Sequence, residues 1–444
     1  MKKTLRGSAY LLVIGGALFL FLGVTLLHVD PLGLADFKQI YYGAKCLVAH
    51  RDPYRDSDLW SVYRMNGGTL PKFLPMAPHL RVILSQSTNL PFTLLILVPF
   101  TFLPWTVASM VWVGAIAASF LLASYLVWRL SAPASPGVAG GLLLLLLANS
   151  TLLLSTGNAA GLVVSFAVIA TWAILRDRYA LAGPILLALS LAIKPHDSWL
   201  ILVYFFLAGG ALRRRAWQTF AIASALTLIS FLWISHLVPN WPHELHSNLV
   251  SSASPGGRDD PGPTTYGGRG VGMIISLQAT MSLIRNQPRF YNSATYLLCC
   301  VLLMVWAYRV WKPRIRPAQP WFALAAIAAF TMLPVYHRTY DAKLLLLTIP
   351  ACAVLWSEKG FIAWCALMLN LLAILCTGDV ALLVFFIFTH NSPKSLAVAS
   401  YLGAPTLAAT GILYLWAHLF HPISEAPVLD AVRSDRSGGG ASLD

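Results

Sequence analysis

The sequence predicts an all-α polytopic membrane protein with about 11–13 transmembrane helices, and three observations predict it. Hydrophobic residues make up 57% of the 444-residue chain and charged residues 11%, whereas soluble domains carry about a quarter charged residues. That balance excludes a soluble enzyme. The apolar residues are gathered into runs that approach the ~20 residues a helix needs to cross a bilayer. The net charge of +14 then sorts by side, as the positive-inside rule requires.

The first run, Tyr10–Leu27, follows Lys2, Lys3 and Arg6. A signal peptide begins similarly, but its apolar region is roughly 7–15 residues, so this longer run is expected to remain as a first helix with a cytoplasmic N-terminus. Further runs lie near 91–128, 138–156, 158–175, 179–193, 198–211, 216–237, 291–311, 320–335, 342–356, 361–377 and 396–419. Within 91–128, Pro91, Pro99 and Pro104 each interrupt helical hydrogen bonding. A short interfacial helix before a span near 105–128 is therefore expected, or a kinked ordinary helix. The run 380–389 is too short to span upright and is either re-entrant or a thirteenth helix.

Alternating sides from a cytoplasmic N-terminus places Arg129, Arg176, Arg178, Arg213, Arg214, Arg215, Arg309, Lys312, Arg314, Arg316 and Lys359 inside with the three N-terminal cations. Only Asp177 and Glu358 oppose them before the C-terminal tail. The two longest polar segments, His28–Asn89 and 239–290, then fall outside. Loops of that length are usually functional, so the chemistry is expected on the extracytoplasmic face. The first holds seven Lys/Arg against five Asp, the second four against three acids; neither is the basic stripe that nucleic-acid binding requires. Residues 1–420 are expected to form one transmembrane domain, and 421–444 a disordered polar tail.

The six cysteines show no CxxC spacing, so neither a disulfide framework nor a cysteine-zinc site is expected. Walker, HExxH and GxSxG motifs are absent. His243, Glu244 and His246 lie close in sequence but lack an evident third ligand, and no residue set is assigned to a metal. No cofactor is expected, and a metal requirement is left open.

Asp30 and Asp36 follow the first span closely. A carboxylate there is partly desolvated yet within reach of a hydrophilic substrate, which suits a general base; an Asp past a helix end is also commonly a solvated cap. Lys194, in Ala192-Ile193-Lys194-Pro195-His196-Asp197, is an ionisable group bordering an apolar run, a functional candidate by default, with a Lys194–Asp197 pair as the structural alternative. Tyr336-His337-Arg338-Thr339-Tyr340-Asp341-Ala342-Lys343 places four ionisable groups other than Tyr in seven residues. Such groups beside spans are costly unless paired or used. Arginine suits a bidentate phosphate grip. Arg258 and Arg269 lie in the Gly/Pro-rich second loop.

The order Asp36, Tyr41-Tyr42-x-Ala44, Asp52-Pro53-Tyr54 and the proline-punctuated 91–104 resembles the start of a family 87 glycosyltransferase, one of the GT-C class of polytopic enzymes that use polyprenyl-phosphate sugars. Gly157-Asn158, Ala182-Gly183 and Leu191-Ala192-Ile193-Lys194-Pro195 resemble the family's Gly-Gln-x-Asn and Ala-x-Lys-Pro stretches. The chain departs from the pattern in lacking the Gln of the first, the glycine before Pro53-Tyr54, and the Asn-Gln-Ser-like element where it has Tyr266-Gly267-Gly268-Arg269-Gly270-Val271-Gly272.

The resemblance implies a GT-C-like fold and an inverting transfer of a sugar, most plausibly mannose, from a polyprenyl-phosphate donor to a lipid, glycan or protein acceptor. It implies Asp36 as the base, with Asp30 in reserve. Lys194, His337, Arg338, Lys343 and Arg269 are the expected contacts to the donor phosphate. Tyr41, Tyr42, Tyr54, Asn158, His196, Tyr340 and Asp341 are the expected contacts to the rest of the substrates. The partners are then the lipid bilayer, the lipid-linked donor and the acceptor. A transporter or flippase of a lipid-linked or small polar substrate is the alternative; it predicts inverted repeats and midplane charges, and neither is visible in the sequence.

Overall fold

The computed structural model describes residues 2–29, 33–69, 84, 87–177, 179, 181–262, 274–312, 320–388 and 393–421. Asp30, Arg269 and the tail from 422 onward lie outside the described residues. The described chain is all-α, with one isolated β-bridge between Ile274 and Arg338. Thr4–Val29, Trp105–Ser131, Pro136–Ser155, Gly210–Leu237 and Pro288–Trp311 are each long and apolar enough to cross a membrane. Phe361–Cys376 with Asp379–Phe385 makes a sixth if that pair, bent by 71°, counts as one. Large apolar side chains such as Leu228, Ile229 and Leu232 stay exposed along these helices, as lipid-facing surfaces require. The molecule is an all-α polytopic membrane protein.

Of the remaining apolar runs, 396–419 lies in one 28-residue helix, Pro393–Phe420, and several others form short helices. Ala182–Ile193 has 12 residues and Pro195–Ala208 has 14, about 18 and 21 Å at 1.5 Å per residue, against a hydrocarbon core of about 30 Å. Their junction is Lys194, with φ −149° and ψ 83°. A residue before proline is driven out of the helical region, and Pro195 has no N–H with which to continue the ladder. Thr93 Oγ1 donates to the freed Ile193 carbonyl at 3.1 Å. A similar interruption at Asn149–Thr151 divides Pro136–Ala148 from Leu152–Ser155. The prolines of 91–104 give a helix over Pro91–Leu97, a 3-10 turn over Val98–Phe102, and then the long helix from Trp105.

Among the described residues, the two long segments expected as loops carry helices and are joined to each other. The first contains Ala35–Val48 and Asp56–Met65, the second Trp241–Ala253 and Leu277–Ile284. Asn248 Nδ2 donates to the carbonyls of Tyr54 (2.8 Å) and Ser87 (3.1 Å). Arg258 Nη2 reaches Thr88 Oγ1 at 3.2 Å, and Arg55 pairs with Glu244 at 3.4 Å. Helix Ala35–Val48 is held on the helix from Trp105 by aromatic packing: Phe37 stacks on Trp112 with centroids 5.3 Å apart, and Tyr42 on Trp105 at 5.8 Å. Each such pair contributes about 0.5–1.5 kcal/mol beyond its buried area.

Candidate functional site

Asp36 lies in the first turn of helix Ala35–Val48, a turn without a side-chain cap. Its free backbone donors are satisfied by another segment instead. Leu34 N donates to the Ser155 carbonyl at 2.7 Å, and the N–H groups of Asp36 and Phe37 donate to the Thr156 carbonyl at 3.1 and 3.2 Å. The same turn answers with a side chain: Asn158 Nδ2 donates to Asp36 Oδ2 at 2.8 Å, while Asn158 Oδ1 accepts from Ala160 N at 2.8 Å. Asn158 therefore caps the helix Ala160–Arg176 and aims the Asp36 carboxylate at once. Gly157 makes the approach possible. Its φ is +64°, and a Cβ there would lie 2.8 Å from Phe37 Cβ. Asp36 and Asn158 are both partly exposed, so the carboxylate remains open to a substrate.

The Lys194–Pro195 break and the segment 336–341 meet. Lys194 pairs with Asp341 and lies 3.6 Å from Asp197 Oδ2; its ammonium also stands over the Tyr340 ring, 4.9 Å from the centroid. Asp341 Oδ2 accepts from Arg338 N at 2.9 Å, which fixes the turn. Asp197 Oδ1 lies 3.1 Å from His337 Nε2 and 3.6 Å from His196 Nε2. Tyr340 borders both groups of residues. Burial pushes its phenol well above the ordinary value, Arg338 opposes the rise, and the carboxylates of Asp36, Asp341 and Asp259 add to it. Asp36 and Lys194 thus both act on Tyr340, the carboxylate through its charge and the ammonium by standing over the ring.

Arg338 is occupied by the protein. Its Nη2 bonds Asp259 Oδ1 at 3.0 Å and the Arg258 carbonyl at 3.1 Å, and its Nε donates to the Tyr336 hydroxyl. Arg258 pairs with the same Asp259 at 3.3 Å. Burial disfavours the Asp259 carboxylate, but Arg258 and Arg338 more than offset that and hold it below the usual range.

Lys343 sits in a separate buried knot, bonded to the carbonyls of Asn149 and Thr377 and 3.4 Å from Asp379. Its side chain is 4% exposed, which leaves no face for a donor phosphate. Tyr41 and Tyr54 are also buried, each donating to a backbone carbonyl: Leu103 at 3.2 Å and Asn89 at 2.8 Å. Tyr42 is enclosed by Trp105 and Tyr63. These three tyrosines hold the first long segment in place.

The predicted residues that converge are therefore Asp36, Asn158, Lys194, His196, His337, Tyr340 and Asp341, with Arg338 at the margin. Reading the sequence gave Asp197 only as a partner for Lys194 and missed Asp259 altogether. Asp259 is 79 residues from Arg338, and no local pattern links them. Among the described residues, His196, Asp197 and His337 form a group with the composition and spacing to hold a metal ion.

The chain matches the family model described as glycosyltransferase family 87 over residues 88–260. That stretch carries Asn158, Lys194, His196, Asp197 and Asp259; Asp36 and the 336–343 segment lie outside it. No curated protein and no solved structure matches the chain.

Proposed function

We propose that this chain, a membrane glycosyltransferase resembling family 87, transfers a hexosyl group, most plausibly mannose, from a polyprenyl-phosphate carrier to an acceptor hydroxyl at the extracytoplasmic membrane face. The observation that carries this reading is the combination of one open, aimed carboxylate with a half-buried cationic and imidazole cluster, both acting on Tyr340. Asp36 is held by Asn158, and across Tyr340 stand Lys194, His196 and His337.

A sugar hydroxyl is a weak nucleophile, and a carboxylate within hydrogen-bond reach removes its proton as it attacks. The acceptor oxygen bonds to the anomeric carbon from the face opposite the carrier. The bond from that carbon to the phosphate oxygen breaks, and its electron pair leaves with the polyprenyl phosphate. Configuration inverts. Negative charge grows on the leaving phosphate, and fixed cations at that point lower the barrier without reorganising. Lys194, on the break between two helices too short to span, is the cation best placed for that role. Since the donor already holds an activated bond, no nucleotide motif is needed.

Asp36→Asn is the direct test. An Asn side-chain oxygen still accepts from Asn158, so the turn keeps its bonding while the base is lost. Transfer from labelled polyprenyl-phosphate sugars in membranes carrying this variant should fall about 10²–10⁴-fold, the usual contribution of general base catalysis. Transfer at the unmodified rate would remove Asp36 from the mechanism.

A further inference from the structure

Within the cluster one contact is unexplained by hydrogen bonding. His337 Nδ1 lies 3.0 Å from the Val335 carbonyl, and a carbonyl only accepts, so Nδ1 carries a hydrogen. In the neutral ring this leaves Nε2 with a bare lone pair. That lone pair lies 3.1 Å from Asp197 Oδ1, where two acceptors repel each other. A protonated ring would relieve the repulsion by donating to the carboxylate, yet no hydrogen bond joins them. Both Asp197 oxygens and His196 Nε2 are likewise buried without a hydrogen bond. The side chains of His337 and Asp197 are 0% and 1% exposed, and unsatisfied groups so deeply buried are destabilising, the more so if charged.

A cation shared by all three removes the difficulty. Ligand atoms about 2.0–2.1 Å from a zinc ion at tetrahedral angles lie about 3.3 Å from one another. The Asp197 oxygen is 3.1 Å from one imidazole nitrogen and 3.6 Å from the other, and the ligand atoms of the three residues all lie within 4.8 Å of one another. The Val335 carbonyl supplies the outer hydrogen bond that fixes the tautomer of a metal-ligating histidine. The neighbouring charge does not forbid a cation, because Lys194 lies between two carboxylates, Asp341 and Asp197, and the pair of them carries more negative charge than the ammonium balances.

We propose that His196, Asp197 and His337 form a site for a divalent transition-metal ion, zinc by ligand type, whose three protein ligands leave a fourth position open. Two imidazoles, one carboxylate and an open position suit a metal that polarises an oxygen ligand. Resting on the function proposed above, that ligand is the donor phosphate, and metal and Lys194 share its charge.

The test uses the full chain in detergent with any affinity tag removed, stripped with a chelator and then given Zn²⁺ or Co²⁺ alone. One equivalent should survive desalting, and Co²⁺ should show the intense visible bands of a four-coordinate site. His337→Gln, Asp197→Asn and His196→Gln should each weaken binding at least 100-fold, beyond the roughly 10–100-fold expected for loss of an outer-shell partner. A His243→Gln/His246→Gln double variant should bind as the parent does. His196→Gln alters the most exposed ligand and is the variant to weigh if the buried ones fail to fold; its unchanged melting temperature in the metal-free state, with binding lost, supports the site. No retained equivalent, or one that persists in His196→Gln, overturns it. Binding is read without any transfer assay. A metal-loaded protein that transfers no sugar would count against the proposed reaction and leave the site standing, while full transfer by metal-free protein would overturn the phosphate contact.

Discussion

Asn158 offers the sharpest perturbation, because one side chain makes two bonds that different substitutions separate. Its Nδ2 donates to Asp36 Oδ2 and its Oδ1 accepts from Ala160 N, both at 2.8 Å. Asn158→Ala removes both. Loss of the cap costs about 1 kcal/mol of stability. Loss of the bond to a charged carboxylate removes about 1.5–3 kcal/mol of orientation, which corresponds to about 10–150-fold in kcat/KM if all of it is expressed in the transition state. Asp36 is partly exposed, so the lower end is expected.

Asn158→Asp keeps the cap but sets two carboxylates against each other. Such a pair shares a proton, so fewer Asp36 side chains are free to act as base at neutral pH. The assay is initial transfer rate against pH for the three proteins, alongside thermal melts. The Asp variant should melt near the parent, and its rate should go on rising for at least one pH unit beyond the parent's plateau. If both variants transfer at parental rates with parental pH profiles, Asn158 does not position the base and the argument for Asp36 loses its support.

Two further outcomes follow from charges away from Asp36. Lys343→Met leaves Asp379 buried without its cation, which typically costs about 3–5 kcal/mol; the melting temperature should drop while transfer per folded molecule stays unchanged, and a selective loss of transfer would return Lys343 to the donor site. Asp259 has a folded carboxyl held below its unfolded value despite burial, by Arg258 and Arg338. Its stabilisation is therefore fully present above the unfolded value of about 3.9 and is lost as pH falls below it. Protection of residues 252–262 against hydrogen exchange, taken relative to the intrinsic rate at each pH, should fall between pH 5 and pH 3 in the parent (roughly the window bracketing that value) and be far less pH-sensitive in Asp259→Asn. Equal protection at both pH values in the parent would refute the clamp.

Much of this fold was legible because membrane helices are written in composition. Among the described residues, every apolar run the sequence offers contains helix. How many cross whole was less legible, since a proline or a buried polar residue inside a run divides it, as at Lys194–Pro195 and Asn149–Thr151. Asp36 and Lys194 stood out because charges bordering apolar runs are rare. His337 to Lys343 are neighbours in sequence and read as one unit there, but the chain turns between them. Asp341 opens a 3-10 helix, where two residues amount to about 240° of rotation, so Asp341 faces Lys194 while Lys343 faces Asp379. The convergence of His196 and Asp197 on His337 has no sequence signature. The partners are some 140 positions apart (337 minus 197 is 140), and only the packing of separate helices brings them together.

The short helix before Lys194 works as a ruler. Its 12 residues, Ala182–Ile193, set how far the Lys194 cluster stands from the turn containing Asp177 and its partner Arg215, while lipid headgroups set the height of any phosphate carried by a membrane lipid. Adding a full turn would restore the bearing of every side chain yet lift the cluster by about 5.4 Å. Such a protein would keep the shape of its site and present it at another depth, so that under the proposed transfer from a lipid-linked donor, access to that donor would depend on a residue count as much as on any side chain.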